Sequence, residues 1–395
     1  MASYKYSVYN SAKRNNGRRP QRSAGRRGDY IDPSRFVAVA KPTQAENYQA
    51  KHSFNDFEID DRIKQNLKAK GFVTPSPIQD QTIPLGLAGK DVIGIANTGT
   101  GKTAAFTIPI IHGLMTRQQT KALVVAPTRE LAQQIEEEAR SIGKGGGFTG
   151  AILIGGTGMG SQLRDLRNKP RIVIGTPGRI KDHMERGTLN LDTFDTVVLD
   201  EVDRMLDMGF LPDVSYILKA LAPKRQSFFF SATMEPRVQG LIRTFSTDPE
   251  TVSVKSADGS DHVNQDVIRY NGTHEKMDKL HDILLKEEVS KVIVFDETQR
   301  SVEKLSNELV ARGFAADAIH GGKSQGQRQR ALDSFKKNRT TILVATDVAA
   351  RGIDVADITH VINYSQPMTY QDYTHRIGRA GRAGRVGHAL TFVNN

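Results

Sequence analysis

The 395-residue sequence predicts two doubly wound parallel α/β domains in tandem, led by a basic arm. Three observations carry this reading. Short β-rich apolar runs alternate with stretches of helix-like spacing, a polar break interrupts the alternation, and the alternation then resumes. Parallel strands joined by crossover helices are covered on both faces, so they read as continuous apolar runs rather than as alternating ones. The chain is long enough for two such units, each burying its own core.

Residues 1–45 stand apart. Between Asn10 and Gly28 lie Lys13, Arg14, Arg18, Arg19, Arg22, Arg26 and Arg27, set among Asn, Gly, Ser and Pro. Such a stretch buries too little apolar surface to offset its ordering entropy, so a disordered arm that tracks phosphates is expected. A first domain is expected over 46–256, with strands at Asp91–Ala96, Ala122–Ala126, Ala151–Gly155, Arg171–Gly175, Thr196–Asp200 and Ser227–Ser231. The polar, aperiodic run K-S-A-D-G-S-D-H (Lys255–His262) marks a linker, drawn at 257–264. A second domain follows over 265–395, with strands at Val267–Tyr270, Val292–Phe295, Ala316–His320, Thr341–Ala345, His360–Tyr364 and Ala389–Val393. The last of these has only Asn394 and Asn395 after it, so a sheet face or edge of the second domain is expected to lack cover.

A net charge of +11 and a pI of about 9.6 point to a polyanionic partner, and RNA, DNA or an anionic membrane surface would each suit that field. The absence of cysteine excludes disulfides and thiolate metal sites. No apolar stretch approaches the ~18–20 residues of a membrane span, and Met1–Asn10 has no apolar signal core. A cytoplasmic protein is expected.

The chemistry concentrates in a few short segments. A-N-T-G-T-G-K-T (Ala96, Asn97, Thr98, Gly99, Thr100, Gly101, Lys102, Thr103) lies between an apolar strand and a helical pattern from Lys102 to Leu114. Glycines there let the backbone wrap phosphate oxygens beside the free N–H groups of a helix start. Lys102 is placed for the β- and γ-phosphates of a nucleotide and the Thr103 hydroxyl for Mg²⁺. Asp200 and Glu201 close the strand Thr196–Leu199 at the same sheet edge. Asp200 suits Mg²⁺, a hard cation, and Glu201 suits the orientation or deprotonation of an attacking water.

These residues, in this order, resemble the DEAD-box family of ATP-dependent RNA helicases, over about Phe54 to Val393. The resemblance implies two RecA-like domains with ATP and RNA bound across their cleft. G-F-V-T-P-S-P-I-Q (Gly71–Gln79, including Thr74) is similar to the family's Q motif, with Phe54 as its upstream aromatic. A glutamine amide pairs with the Hoogsteen edge of adenine, as in base readout, while an aromatic ring stacks on the base. P-T-R-E-L-A (Pro127, Thr128, Arg129 onward), Gly155–Gly156 and T-P-G-R (Thr176, Pro177, Gly178, Arg179) resemble RNA-backbone motifs. S-A-T (Ser231–Thr233) resembles the segment that couples hydrolysis to strand separation.

In the second domain, V-I-V-F-D-E-T (ending at Thr298) and H-G-G-K-S-Q-G-Q-R (with Gln325 and Arg328) resemble RNA-contact motifs. T-D-V-A-A-R-G-I-D resembles the motif touching both ligands, with Thr346 and Asp347 toward RNA and Gly352 and Asp354 toward the nucleotide. H-R-I-G-R-A-G-R puts Arg379 and Arg382 in arginine-finger positions and His375 in a coupling position. A finger of this kind is worth ~10³–10⁵ in rate.

The chain departs from the family at Val202, which stands for Ala in D-E-V-D, and in stopping at Asn395 where a further helix usually follows. Overpacking of a tight core costs about 1–3 kcal/mol, so Val202 bears on the closed geometry rather than on the chemistry. The resemblance implies an RNA-dependent ATPase that locally unwinds short duplexes as a monomer, with ATP and Mg²⁺ as cofactors and ribonucleoprotein partners. The alternative is a nucleotide-gated RNA clamp that nucleates a complex with little unwinding.

Overall fold

The computed structural model describes residues 31–40, 48–97, 99–254, 262–350, 355, 357–381 and 385–395. Two parallel sheets organise them. The first contains β1 (Val92–Ile95), β2 (Ala122–Val125), β3 (Gly150–Leu153), β4 (Ile172–Gly175), β5 (Thr196–Leu199), β6 (Gln226–Ser231) and β7 (Glu250–Ser253), in the order β3-β4-β2-β5-β6-β1-β7. The second contains β8 (Val263–Tyr270), β9 (Val292–Phe295), β10 (Ala316–Ile319), β11 (Ile342–Ala345), β12 (His360–Asn363) and β13 (Gly387–Asn394), in the order β10-β11-β9-β12-β13-β8. Every strand pair within them is parallel.

Helices pack on both faces, which is why the central strands are apolar at consecutive residues. All four residues of β2, β4, β5, β9, β11 and β12 are buried. In the first sheet one face builds a core around Ile78, Phe106, Phe228 and Phe230, and the opposite face builds one around Leu199, Val202, Met205 and Phe229. β7 was not expected from the sequence. It is an edge strand whose only buried residue is Val252, so E-T-V-S carries no apolar run.

Parallel strands place all their carboxyl ends on one edge, and that edge is where the chemistry gathers. The loops after β1, β2, β3, β4, β5 and β6 carry in turn Ala96–Gly101, Pro127–Arg129, Gly155–Gly156, Thr176–Arg179, Asp200–Glu201 and Ser231–Thr233. In the second sheet the loops after β9, β10 and β11 carry Thr298, His320–Gln325 and Thr346–Asp347.

Two sequence expectations are corrected at the ends of the second domain. Residues 31–40, assigned to the disordered arm, are docked on this domain. A 3₁₀ turn at Pro33–Phe36 is capped by Asp32, which accepts a 2.9 Å bond from the Ser34 amide. Phe36 is fully buried with Ile31, Val263, Tyr373, Ile377 and Ala389. Ala38 bridges Gln265 of β8 in antiparallel fashion, with N–H···O distances of 3.0 and 2.7 Å. The sequence gives no sign of this docking because Ile31 and Phe36 are isolated apolar residues with no periodicity. β8 itself begins at Val263, inside the expected linker.

The expected gap in sheet cover is also absent around β13. It lies between β12 and β8 rather than at an edge. Phe392 packs with Met277, Leu280 and Ile362 on one face, and Ala389 meets Phe36 and Tyr373 on the other. The N-terminal segment supplies part of this cover. The arm upstream of it and most of the linker lie outside the described residues.

Candidate nucleotide and RNA site

The loop after β1 is shaped by its glycines. Gly99 and Gly101 take φ of 82° and 92°, a region that side-chain-bearing residues avoid. A Cβ on Gly101 would also lie 2.4 Å from Gln79 Nε2. The helix Lys102–Thr116 starts directly after this turn, so its unpaired amides face the loop. Lys102 is buried and donates to the Ala96 carbonyl at 2.8 Å. The Thr100 hydroxyl donates to the Asn97 carbonyl at 2.8 Å.

The Q-like segment is built onto this loop. Ser76 Oγ donates to the Thr100 carbonyl at 2.8 Å, and Gln79 Nε2 donates to the Gly101 carbonyl at 3.1 Å. Gln79 Oε1 accepts from the Ser76 amide at 2.9 Å, closing a capping box on the helix Pro77–Leu87. Both ends of the amide expected on a base are therefore engaged in holding the loop. Phe54, expected to stack on the base, is instead buried edge-on to Phe57 and Phe72, with ring centroids 6.0 and 5.6 Å away. Phe72 is the aromatic that lines the cleft. Thr74 is exposed and does not line it.

That cleft has a volume of about 480 Å³ and joins both domains. Its walls include Phe72, Gln79, Gly99, Gly101, Lys102, Thr103, Asp200 and Glu201 from the first domain, and Lys336 and Arg379 from the second. Burial raises the Asp200 pKa to about 6, with Lys102 opposing the shift and Glu201 adding to it. Glu201 has a left-handed backbone (φ 54°, ψ 54°) at the strand end, and its buried carboxylate pairs with Arg204 at 2.9 Å. Such a conformation is costly for a non-glycine residue and recurs at functional sites.

The last acid of D-E-V-D makes the connection to S-A-T. Asp203 Oδ2 accepts from the amides of Ala232 and Thr233, both at 3.0 Å, and lies 3.3 Å from Thr233 Oγ1. Ser231 closes β6 with a carbonyl that receives the Ala96 amide at 3.1 Å, while its buried hydroxyl has no partner among the described residues. Val202 is fully buried in the core beside Met205 and Leu199.

The other first-domain loops form a neighbouring surface. Thr128 caps the helix Arg129–Ile142 by accepting from the Leu131 amide at 3.2 Å, behind the buried Pro127. Arg129 lies over the Gly155–Gly156 turn so closely that a Cβ on Gly156 would sit 2.2 Å from its guanidinium. Thr176 and Pro177 start the helix Pro177–Glu185, Gly178 leaves open space, and Arg179 NH1 reaches the Thr157 carbonyl at 3.5 Å. Burial and then the charge of Arg328 lower the Arg129 pKa, so two guanidinium groups crowd this surface.

In the second domain Thr298 caps the helix Gln299–Ala311, and Thr346 is buried. Gln325 and Arg328, expected on RNA, instead cross to the first domain. Arg328 pairs with Glu130 at 2.8 Å, and Gln325 Nε2 donates to Gln133 at 3.0 Å and to Glu130 at 3.3 Å. The cluster is buried, yet Glu130 Oε2, Gln325 Oε1 and Arg328 Nε have no hydrogen-bond partner among the described residues. Asp347 is likewise engaged, receiving both arms of Arg376 at 2.6 and 2.7 Å. Arg376 also reaches Asn363 and the Ser365 carbonyl and lies over Phe295. A small cavity beside it brings His375 and Arg379 together.

Phe72, Asp203, Arg204, Glu130 and Arg376 carry geometry to which the sequence alone assigns no role. Each lies inside or next to a segment already singled out; what the sequence does not show is which side chain turns toward which neighbour. Thr98, Gly352, Asp354 and Arg382 lie outside the described residues.

Two RecA-like parallel α/β domains sharing a glycine-lined cleft, with an acidic strand end on one side and an arginine on the other, define a two-domain nucleotide-dependent motor. Comparison with known proteins specifies it further. Residues 76–241 match the DEAD/DEAH box helicase family and residues 275–384 the helicase conserved C-terminal domain. The chain is 44% identical over 342 residues to the ATP-dependent RNA helicase CshA of Limosilactobacillus reuteri, covering 86% of this chain and 69% of that one. It is 43% identical over 342 residues to CshA of Bacillus subtilis, with the same coverage. The solved structure of S. cerevisiae Dbp5 bound to RNA and ADP BeF3 superposes with a TM-score of 0.76 at 28% identity, covering 87% of this chain and 90% of that one. The chain belongs to the DEAD-box family of ATP-dependent RNA helicases. It is accordingly an enzyme that uses ATP to unwind or remodel RNA.

Proposed function

We propose that ATP·Mg²⁺ sits in the 480 Å³ cleft and is hydrolysed only when Arg379 and the first-domain loops face it together. The observation that carries this reading is that one cleft is lined by Lys102, Thr103, Asp200 and Glu201 on one side and Arg379 on the other. Lys102 exchanges the Ala96 carbonyl for phosphate oxygens, while the amides at the helix start hold the phosphate chain. Thr103 and Asp200 suit Mg²⁺, which would neutralise charge developing on the phosphates. Glu201 orients the attacking water. The base lies against Phe72, backed by Phe54, and Gln79 reads it by turning its amide from Ser76 and Gly101 toward the adenine edge.

RNA runs along Thr128, Arg129, Gly156 and Thr176–Arg179, continuing onto Thr298 and Thr346, as a backbone-reading surface without base selectivity. Gln325 and Arg328 act as a clasp between the domains, and Asp347 holds Arg376 and so the arginine-bearing segment. Asp203 passes changes at the acidic strand end to Ser231–Thr233, and His375 does so beside Arg379. Asp354 and Gly352 at the ribose, Thr98 in the phosphate loop and Arg382 as a second finger rest on the family resemblance. In this reading the working unit is a monomer in the cytoplasm that ribonucleoprotein partners engage.

The test is ATP turnover with and without RNA, together with duplex separation. RNA should stimulate hydrolysis, and Arg379→Ala should depress turnover by about 10³-fold or more with nucleotide binding nearly intact. Full turnover in that variant refutes the placement of Arg379 at the reacting phosphate.

A further inference from the structure

We propose that the segment from Ile31 to His52 is an interdomain tether, fastened at one end to the second domain and at the other to the helix bearing Gln79, which restricts how far the domains separate between cycles. At the first anchor, Phe36 is fully buried and its ring lies 4.7 Å from that of Tyr373. Arg35 stacks over Tyr370 at 3.9 Å, Ala38 bridges Gln265, and the Ala40 amide donates to Asn264 Oδ1 at 2.9 Å.

The second anchor converges on Asp80, which is 2% exposed. Its carboxylate accepts from Tyr48 Oη at 2.5 Å, the Lys51 amide at 2.8 Å and the His52 amide at 3.1 Å, and lies 2.7 Å from His52 Nδ1. Asp80 directly follows Gln79 on the helix Pro77–Leu87. The tether therefore ends one residue from the side chain that holds the phosphate loop.

Geometry makes the connection restrictive. Eight peptide steps separate Ala40 from Tyr48, and at about 3.6 Å per residue the anchors cannot part by more than about 29 Å. The linker from Val254 to His262 is a second tie of the same number of steps at a different place. A second tie at a different place excludes the relative orientations that would carry its anchors beyond that reach, which a single linker leaves open. Confinement raises the effective concentration of each domain at the other's surface. The proposal concerns the ligand-free ensemble, independent of the assignment of the hydrolytic groups.

The chain has no cysteine of its own, so Asp192→Cys and Asn307→Cys, exposed positions on the two domains, allow clean labelling of the full protein for single-molecule energy transfer. Two variants are compared with this background: Phe36→Asp, which frees one anchor, and a twelve-residue Gly/Ser insert after Pro42, which keeps both anchors and raises the maximal reach between them from about 29 Å to about 72 Å. Without ligands both should shift the distance distribution outward and broaden it, and RNA with a non-hydrolysable ATP analogue should bring all three proteins to one distance. An insert variant indistinguishable from the background in the ligand-free state overturns the proposal, including the case in which Phe36→Asp alone broadens the distribution, since that would report a loosened second domain.

Discussion

Glu201 combines a left-handed backbone with a buried ion pair to Arg204, so its carboxylate is fixed before any substrate arrives. Glu201→Gln keeps the shape and removes the charge. It should bind ATP and RNA and lose about 10²–10⁴-fold in turnover, the usual weight of a positioned acid–base group; single-turnover hydrolysis at the unmodified rate would falsify that role. Gln79 differs, because its amide holds Ser76 and Gly101 in the described state. Gln79→Ala should weaken ATP binding and also narrow the preference for ATP over GTP, measured by competition. Selectivity that stays unchanged would leave Gln79 with the loop-holding function alone. Asp200 adds a pH signature. Its folded pKa of about 6 lies above the ordinary 3.8, so its contribution to stability is full below 3.8 and is lost as pH rises through about 6. Mg²⁺ favours the carboxylate, so the gain in melting temperature from ATP·Mg²⁺ should grow between pH 5 and 7 and then level off. A gain that is flat across that range argues against Asp200 as a magnesium-binding group.

At the scale of elements, the sequence revealed most strands and the loops that follow them, because a strand buried on both faces needs a continuous apolar run and the loops carry Gly, Thr and charge in fixed order. It did not reveal β7, an edge strand with one buried residue, or the docked segment 31–40, whose anchoring side chains are too few to show a period. Residue roles split in the same way. Lys102, Thr103, Asp200 and Arg379 were singled out because their types and positions suit one chemistry, and the fold brings all four to the wall of one cleft. Gln325 and Arg328 were expected on RNA because their segment resembles an RNA-contact motif; only the fold brings Glu130 to them. That cluster predicts a coupling. Glu130→Ala leaves Arg328 buried without its counter-charge, a loss that typically costs about 3–5 kcal/mol when the charge stays buried. The domains can avoid it by parting, so RNA-stimulated hydrolysis should fall while nucleotide binding to the first domain persists. Glu130→Ala and Arg328→Ala should be strongly non-additive in a double-mutant cycle; additive effects would show that the pair does not hold the domains together.

At the scale of the whole molecule, the +11 net charge and the proposed RNA surface would act on the same ligand over different ranges. In the proposed RNA path the loops after β2, β3 and β4 hold the backbone locally, whereas the seven basic residues between Lys13 and Arg27 are covalently joined, through Ile31–Ala40, to the second domain. The docked segment therefore decides which domain carries the arm. It also sets the cut for a clean experiment: removing 1–45 would strip cover from β8 and β13 along with the charge, while removing 1–30 takes the charge alone. With residues 31–395, RNA affinity should fall uniformly across sequences. The slope of log K against log salt should become shallower by about 0.7 for each phosphate of a single strand that the arm no longer neutralises. Melting of the second domain should be unchanged, since Phe36 and its neighbours remain. Equal slopes for the two proteins would make the arm a bystander and assign the whole of the binding to the loops of the two sheets.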